Sequence, residues 1–405
     1  MKRFLLLLLT ALLAAGCLET ADVPRPAPSD TWPSALHAVT VRVIYPDGYP
    51  ARPGVEVQVE EISSGTAYTA PTDADGIARF SLPDGIWRFS SSDRTGRDIF
   101  NGTADKVVVT EGRTVDLPLT HSLAGTLVIK ELYCGGCSKA PEEGTYQSDK
   151  YAILHNNDTE TVYLDSLCLG MVSPYNATAV NHWADASGAL PAFAPVVEAV
   201  WQVGGSGTDF PLPPGGDAVV AINGAIDHTL QYPLSINLNR PDVFVCYNAV
   251  SYPNPVYHPA PGDQVRPERI LSVVIKTGQA NAYPLSISSP TLLLFRAQGA
   301  TIQDHVQVAE NILQAPGSTE RATRIPYGWV IDGIEVFDGR STGNKKRLPD
   351  SVDAGFAIQS DVFKGHSLMR KVDEEATATN GFEVLVDTNN SSNDFYESEI
   401  QSLHR

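Results

Sequence analysis

The sequence lacks most of the patterns that mark catalytic or nucleic-acid-binding proteins, and each absence narrows its possible functions. Basic residues are scarce, with 29 Lys and Arg against 47 Asp and Glu, which gives a net charge of −18. A surface this acidic repels phosphate backbones, so the composition excludes nucleic acid as a partner. The nine histidines form no HxxH, HxxxH or HExxH motif, and neither a phosphate-binding glycine loop nor a pair of acid–base carboxylates is present. After the first 20 residues no apolar run approaches 18 residues, so no membrane-spanning helix is predicted.

The composition favours a globular protein built largely from β-strands. Of the 405 residues, 42% are hydrophobic and 19% are charged, which is typical of folded domains and not of a disordered chain. The 32 glycines and 29 prolines fit a turn-rich, all-β protein better than a helical one. At roughly 100–200 residues per domain, the length predicts two or three domains.

The first residues predict an exported protein with a lipid anchor. Lys2 and Arg3 precede an apolar stretch over residues 4–15, and small residues at 14–16 lead directly to Cys17. This order is typical of a signal peptide over residues 1–16, and the cysteine after it matches the bacterial lipobox. Cys17 is therefore the predicted lipid attachment site and mature N-terminus, in an outer-membrane protein that faces the cell surface or the periplasm. The alternative is an ordinary secretory signal with a chance cysteine. Residues 17–37 carry four prolines and predict an extended tether.

Four further cysteines, Cys134, Cys137, Cys168 and Cys246, are candidate disulfide partners. An even number in an exported protein favours disulfides, and four cysteines allow three full connectivities, between which the sequence does not choose. Metal ligation is the alternative, although the spacing matches no common structural zinc site. The CGGC pair follows a predicted strand and precedes a loop, so it lacks the helix N-terminus that activates a redox CxxC.

Short alternating strands predict a first β-sandwich over residues 38–122. Alternation buries one face of each strand, so two sheets pack face to face over valines, Phe80 and Trp87. The segment 72–87, TDADGIARFSLPDGIW, resembles the carboxypeptidase-regulatory-like (prealbumin-like) domains, with Trp87 in place of their usual Tyr. The resemblance implies a non-catalytic spacer or docking module. Residues 73–76 are predicted to form a hairpin turn, because the other oxygen ligands of a calcium loop do not follow.

Residues 123–405 predict a second, larger sandwich. Its opening strands resemble those of a lamin-tail domain, which has an immunoglobulin-like sandwich fold. The opening segments are 126–133, 151–157 and 162–169. Segments that resemble the later strands of the same domain are 210–221, 292–295, 329–336, 365–371 and 387–395. The motifs are widely spaced, so long insertions are predicted at about 172–208 and 228–290. A short amphipathic helix is predicted over 301–313. The pairing of these two units resembles an uncharacterised family of Gram-negative outer-membrane lipoproteins, a domain of unknown function.

The remaining patterns are weak candidates for sites. His182, His228 and His258 lie in the predicted insertions, where a metal or haem would need them to converge, but solvated or locally bonded histidines are favoured. The string GRSTG at 339–343 matches a nucleophile elbow without the helix that an elbow requires. The basic residues 345–347 are predicted to be a solvated loop tip, with contact to an anionic partner as the alternative. Residues 387–391 are predicted to be an Asx turn rather than a calcium loop.

Together these features predict a non-catalytic binding lipoprotein without a cofactor, and they leave a metal open. We expect it to serve as an accessory of a TonB-linked uptake system for iron, haem or another nutrient, beside a TonB-dependent receptor or surface protein. This expectation follows from the resemblance more than from individual residues. The alternative is a structural or adhesive surface protein that binds a protein or glycan, and a hydrolase ranks third.

Overall fold

The computed structural model describes residues 35–404, and over this range the protein is nearly all β. Strands account for 39% and helices for 8% of the chain, so the predicted all-β fold class is confirmed. Within the described part of the chain, no helix combines the length and apolarity needed to cross a membrane. The predicted signal peptide, Cys17 and most of the predicted tether lie outside the described residues.

The first unit contains eight strands in two sheets. The strands are β1 (His37–Ile44), β2 (Glu56–Glu61), β3 (Ala67–Pro71), β4 (Ile77–Leu82), β5 (Gly85–Thr95), β6 (Asp98–Val109), β7 (Arg113–Pro118) and β8 (Thr120–Leu123). One sheet has the order β4-β1-β7 and the other has the order β3-β2-β5-β6-β8. Alternate side chains of β1, such as Val39 and Val41, are buried with Phe80 and Trp87 in one core, as the alternation predicts. The turn at 73–76 also forms as predicted, because Asp73 Oδ1 accepts the backbone N–H groups of Asp75 and Ile77.

The second unit contains eighteen strands and three short helices. The strands are β9 (Leu127–Tyr133), β10 (Cys137–Ser138), β11 (Thr145–Tyr146), β12 (Tyr151–Asn156), β13 (Val162–Tyr163), β14 (Cys168–Val172), β15 (Phe193–Gln202), β16 (Pro211–Leu212), β17 (Asp217–Ala221), β18 (Phe244–Val245), β19 (Ser272–Lys276), β20 (Thr291–Phe295), β21 (Ile312–Gln314), β22 (Arg321–Pro326), β23 (Val330–Asp338), β24 (Ala357–Gln359), β25 (Ser367–Arg370) and β26 (Phe395–Ser398). The helices are α1 (Ile302–Gln307), α2 (Glu374–Asn380) and α3 (Ser391–Asp394), with 3₁₀ turns at His228–Leu230, Pro267–Arg269, Ala309–Asn311 and Tyr327–Trp329.

Two large sheets form the framework of the second unit. The six-stranded sheet has the order β18-β17-β12-β9-β25-β26. The eight-stranded sheet has the order β21-β22-β15-β14-β20-β23-β24, and β19 also pairs with β15. Apolar side chains from both sheets, including Leu154 of β12 and Leu294 of β20, share the main core. The outer face of the six-stranded sheet is covered by residues from 225–265, including Ile236 and Val265.

The predicted insertions have a larger structural role than the sequence indicates. Residues 172–208 contain β15, which lies between β14 and β22 inside the eight-stranded sheet, so this segment is not a simple insertion. Residues 228–290 add β18 and β19 to the two sheets and otherwise form long connections. The predicted helix over 301–313 is shorter than expected. Helix α1 ends at Gln307, and Ile312 already begins β21, which pairs with β22.

The loop over residues 387–394 joins the two units. The backbone carbonyl oxygen of Thr388 accepts the Asn101 Nδ2–H of β6 at 2.7 Å. Asn389 Nδ2 donates to Ser122 Oγ at 2.8 Å, and Arg94 Nη1 donates to the Asp387 carbonyl at 3.1 Å. The loop is a capped turn, as predicted, since the Asn390 side chain caps α3. These polar contacts fix the first unit against the end of the second.

Candidate functional site

The four cysteines of the second unit are buried free thiols, which differs from the predicted disulfides. Cys134 faces Gln359, with its Sγ 3.5 Å from Oε1, whereas Cys137 faces Asp149 with its Sγ 3.6 Å from Oδ2. The two side chains of the CGGC pair thus have different neighbours. Burial raises the pKa of Cys134, Cys137 and Cys168 to about 12, so these thiols are protonated and poor nucleophiles at neutral pH. Burial also raises the pKa of Cys246. Cys17, the predicted lipid attachment site, is outside the described residues.

The three histidines in the predicted insertions do not form a metal centre within the described residues. His182 is exposed. His228 is buried and both of its ring nitrogens are engaged, with Nδ1 2.7 Å from Tyr146 Oη and Nε2 2.9 Å from the Gly224 carbonyl oxygen. His258 is buried beside the ring of Tyr252, at a distance of 5.2 Å between ring centres.

One group of side chains has metal-like spacing that no sequence motif reveals, because its members are far apart along the chain. Ligand-type atoms of His155, Asp217 and Glu383 all lie within 4.8 Å of one another. Lys130 Nζ, however, donates to Asp217 Oδ2 at 2.8 Å and also to Glu383 Oε1. Both His155 nitrogens are taken as well, by Asp217 Oδ1 at 2.6 Å and the Glu383 carbonyl oxygen at 2.9 Å. The Lys130 ammonium group therefore supplies the cation that these carboxylates need, and the group is a structural ion pair.

The two remaining motifs are structural. Ser341 lies in a turn where its Oγ accepts the Gly343 N–H at 3.1 Å, and no helix follows it, so the nucleophile-elbow geometry is absent from these residues. The prediction that residues 345–347 form a solvated tip is wrong for Arg347, which is 1% exposed. Its guanidinium pairs with the buried carboxylate of Glu335, with Nη2 2.6 Å from Oε1.

A surface cleft of about 510 Å³ lies between the loop at 204–210 and the turn at 266–270. Its basic side chain Arg269 already has partners, because it stacks over Phe244 at 4.4 Å and donates to the Asp242 carbonyl at 3.1 Å. Arg266 lies in the same lining beside Glu268, so the cleft carries no strong excess of either charge. This cleft therefore offers no unpaired charged group that would select a ligand.

A buried aromatic site, here called the aromatic cluster, consists of Trp201, Tyr252, His258 and Tyr283. Trp201 is on β15, and the other three are on the long connections within 228–290. The rings of Tyr252 and Tyr283 lie 5.7 Å and 5.3 Å from the Trp201 ring, and His258 lies 5.2 Å from Tyr252. None of the four residues is more than 2% exposed. Such ring geometry stabilises the connections by about 0.5–1.5 kcal/mol per pair beyond burial.

The aromatic cluster concentrates polar atoms that have no protein partner. Thirteen buried side-chain polar atoms in the described residues lack a hydrogen-bond partner, and seven of them lie at or beside this cluster. The seven are Glu198 Oε2, Trp201 Nε1, Asn223 Oδ1, Tyr252 Oη, His258 Nδ1, Thr277 Oγ1 and Tyr283 Oη. Buried polar groups normally have protein or water partners, so this concentration makes the aromatic cluster the candidate binding site.

The proton arrangement on His258 follows from its surroundings. Its Nε2 accepts the Asn248 backbone N–H at 3.3 Å, and burial lowers the pKa of His258 to about 4. The ring is therefore neutral at physiological pH, with the proton on Nδ1. His258 Nδ1 is thus a donor without an acceptor. Trp201 Nε1 lies beside the Tyr283 hydroxyl without reaching hydrogen-bond geometry, and the two tyrosine hydroxyls either donate or accept.

Glu198 lies at the boundary between the aromatic cluster and solvent. It has a φ of +64°, which is a strained conformation for a long side chain, and a change of register in β15 occurs nearby. Its backbone carbonyl accepts the N–H of Thr277 at 2.8 Å, so the loop after β19 folds over it. Burial raises the pKa of Glu198. Burial is also the main cause that raises the pKa of Tyr252 and Tyr283, and the charge of Glu198 adds to both shifts. Strain, burial and an unpartnered oxygen at one residue are features of functional sites.

The ammonium group of Lys276, which is the positive charge that acts on Glu198, is hydrogen-bonded to other groups. Lys276 Nζ donates to the carbonyl oxygens of Ser251 and Ala280, both at 2.6 Å, and lies 4.3 Å from the centre of the Tyr252 ring. Among the described residues, Glu198 has no ion pair within 4.0 Å. The carboxyl group therefore has no direct counter-ion; it lies against Gly278 and accepts a backbone hydrogen bond from Ala280.

Comparison with known proteins supports the fold and leaves the activity open. Residues 213–402 match a family model described as "Protein of unknown function (DUF4876)". This match covers slightly less than half of the chain. A crystal structure of a DUF4876 family protein from Bacteroides thetaiotaomicron is similar, with 22% identity and a TM-score of 0.58 over 89% of this chain and 94% of that one. This similarity confirms the all-β fold. The search of curated proteins finds no match.

Two other solved structures share much less with this chain. A DUF3823 family protein from Parabacteroides merdae has 14% identity and a TM-score of 0.18, over 42% of this chain and 83% of that one. The Bacillus anthracis TIE protein has 13% identity and a TM-score of 0.19, over 44% and 26% respectively. Similarities this low carry no conclusion about this chain or its function.

Proposed function

We propose that this chain is an outer-membrane-anchored, non-catalytic binding lipoprotein that holds a small polar nutrient at the aromatic cluster. In this proposal it acts as an accessory of a TonB-linked uptake system. The observation that carries the proposal is the set of seven unpartnered polar atoms around four buried rings. An unsatisfied buried group costs about 1–3 kcal/mol, so a concentration of such groups supports an occupant that supplies the missing bonds.

Binding is favoured over catalysis by the state of the reactive side chains. The thiols of the second unit are buried with raised pKa values, and Ser341 lies outside any elbow geometry. An organic nutrient is favoured over a bare metal ion, because Lys130 already fills the position with metal-like spacing. Aromatic walls with a few convergent polar atoms are typical of small-molecule sites.

The first test asks whether the cluster is occupied. Tyr283→Phe removes one unpartnered hydroxyl and keeps the ring. If a bound molecule satisfies that hydroxyl, the variant will have a lower melting temperature than the wild type and a weaker stabilisation by ligand. If the hydroxyl is truly without a partner, its removal will raise the melting temperature, because an uncompensated polar group has left the core. A higher melting temperature would contradict the proposal.

Ligand and anchor are tested separately. A panel of sugars, amines, siderophores and haem is screened for a rise in melting temperature, since a ligand that binds only the folded state stabilises it. Anchoring is tested by palmitate labelling in cells, where wild type should be labelled and fractionate with the outer membrane, and Cys17→Ser should be neither labelled nor membrane-bound. A panel that shifts nothing, while a surface protein co-purifies with the chain, would favour the adhesive alternative.

A further inference from the structure

We infer that the ligand of the aromatic cluster carries a protonated amino group and that the Glu198 carboxylate binds this group. The inference rests on the proposed function and specifies its ligand class. It starts from the half-buried Glu198 carboxyl group, whose Oε2 has no hydrogen-bond partner. A buried carboxylate without a cation is costly, and an ammonium group from a ligand would satisfy both the charge and the hydrogen bond.

The chain's own lysine does not fill this role. Lys276 Nζ is held by the carbonyl oxygens of Ser251 and Ala280 and by the Tyr252 ring. By contrast, Lys130 at the structural ion pair donates directly to two carboxylates. The chain therefore pairs partly buried carboxylates with cations elsewhere, whereas the Glu198 carboxyl group has only a backbone hydrogen bond from Ala280 and no ion pair.

The backbone at Glu198 and the glycine that packs against its carboxyl group both restrict this position. Its φ of +64° is strained, and a side chain in place of Gly278 would overlap the Glu198 carboxyl group. Glycine at 278 thus allows the loop to approach the carboxylate closely. The Tyr252 ring, which already holds the Lys276 ammonium group at 4.3 Å, is part of the same surroundings. Aromatic faces beside a carboxylate are a typical environment for ammonium groups.

The unpartnered atoms of the cluster would then recognise the rest of the ligand. Trp201 Nε1 and His258 Nδ1 are donors that need acceptors, and the hydroxyl groups of Tyr252 and Tyr283 adapt to either role. This set suits a small amino alcohol or amino sugar, in which the ammonium group binds Glu198 and hydroxyl oxygens accept the two N–H groups. All of these side chains except Glu198 are at least 98% buried, so a ligand reaches them only if the connections that cover the aromatic cluster move.

The test uses pairs of probes that differ only by an amine in place of a hydroxyl. Glucosamine is compared with glucose, and ethanolamine with ethylene glycol, by calorimetry and thermal shift on the full mature chain. We expect the amine of at least one pair to bind about tenfold or more tightly than its hydroxyl partner. Glu198→Gln should abolish that preference. Glu310→Gln is the matched control, because Glu310 is an exposed glutamate distant from Glu198 in the sequence. This variant should keep the preference for the amine.

A second readout separates recognition from folding. Glu198→Gln should have a melting temperature equal to or above that of the wild type, because it removes a buried charge, so lost binding cannot be attributed to unfolding. Amine affinity should also fall as the pH drops through the raised pKa of Glu198, whereas glucose affinity should not. Equal binding of glucose and glucosamine would overturn the amine assignment and leave the proposed binding function intact. Failure of every probe, with a Tyr283→Phe variant that melts higher, would overturn both.

Discussion

At the scale of single residues, the second unit depends on a buried ion pair. The Arg347 guanidinium donates to Glu335 and to the carbonyl oxygens of residues 174, 289, 290 and 336. Glu335 Oε2 also accepts two backbone N–H groups, those of Arg347 and Leu348. Every polar atom of the pair therefore has a partner, which is the condition under which a buried ion pair is tolerated.

Arg347→Met should destabilise the protein by about 3–5 kcal/mol, because it leaves the Glu335 carboxylate buried without its cation. Unfolding in urea, followed by tryptophan fluorescence, measures the free energy of unfolding. The double variant Glu335→Leu with Arg347→Met removes both charges and should recover part of the loss. A single variant within about 1 kcal/mol of the wild type would contradict this account.

The sequence did not indicate this burial, because the partners of Arg347 are distant along the chain. A run of Lys345, Lys346 and Arg347 in an acidic protein looks like a solvated loop, and only the fold brings Glu335 and Ser289 to it. Lys346 is also held, by the carbonyl oxygens of Asp353 and Gly355. By contrast, the turn at Asp73 was predictable, since its bonds are to residues two and four positions later.

At the scale of elements, the connection between β9 and β10 depends on one close approach. Gly136 has a φ of +72°, and a side chain there would overlap the backbone carbonyl oxygen of Tyr146, on the paired strand β11. Glycine is required both by the left-handed conformation and by this contact.

Gly136→Ala should therefore cost about 2 kcal/mol or more, which exceeds the roughly 1 kcal/mol expected from the positive φ alone. Gly188→Ala is the matched control, because Gly188 has a φ of +88° and nothing within 4 Å of an added side chain. Thermal and urea unfolding of both variants give the comparison. Equal losses at the two positions would show that the contact with Tyr146 contributes nothing.

Elements with local patterns were predictable, and elements defined by distant pairing were not. The alternating valines of β1 and β2 and the burial of Trp87 follow directly from period-two patterning. The predicted helix at 301–313 was cut short because Ile312 and Leu313 pair with β22, a contact that helical periodicity does not reveal. Similarly, β15 lies in a segment that the motif spacing predicts to be an insertion, although the strand pairs on both sides inside its sheet.

At the scale of the whole molecule, the candidate site could be predicted only by region. The sequence predicts a binding surface on the insertions of the second unit, and His258 lies in one of them. Trp201, Tyr252 and Tyr283 form no sequence motif, however, and they meet because β15 and two long connections converge. The unpartnered atoms are a property of the folded core alone. No spacing rule would have found them.

The junction between the units contains a second group of buried charges. Arg370 Nη2 lies 2.7 Å from Asp332, and its Nη1 lies 3.3 Å from both Asp387 and Asp394. Three carboxyl groups thus share one guanidinium. Burial is the main cause that raises the pKa of Asp332 to about 6 and of Asp394 to about 7, and the Asp387 charge adds to both. Asp387 belongs to the loop that contacts Asn101 and Arg94 of the first unit.

These raised pKa values make the junction less stable as the pH rises. An aspartate in the unfolded chain has a pKa near 3.9, so between about pH 4 and 7 the folded state binds more protons than the unfolded state. The stabilisation from Asp332 and Asp394 is therefore complete below about pH 4 and is lost as the pH rises through about 6 and 7. The loss should be at least about 1.4 kcal/mol, the equivalent of one pKa unit.

Other carboxylates with lowered pKa values have the opposite pH dependence, so a variant is needed to isolate the cluster. Asp394→Asn removes one of the three carboxyl groups and keeps an acceptor for the Thr388 hydroxyl. The difference in unfolding free energy between wild type and variant should move in favour of the variant as the pH rises from 5 to 8. Asp263→Asn, at an exposed position of the second unit, should leave that difference flat. If both variants follow the wild-type profile in parallel, the junction aspartates are ionised throughout, and the two units are held together without a titrating proton.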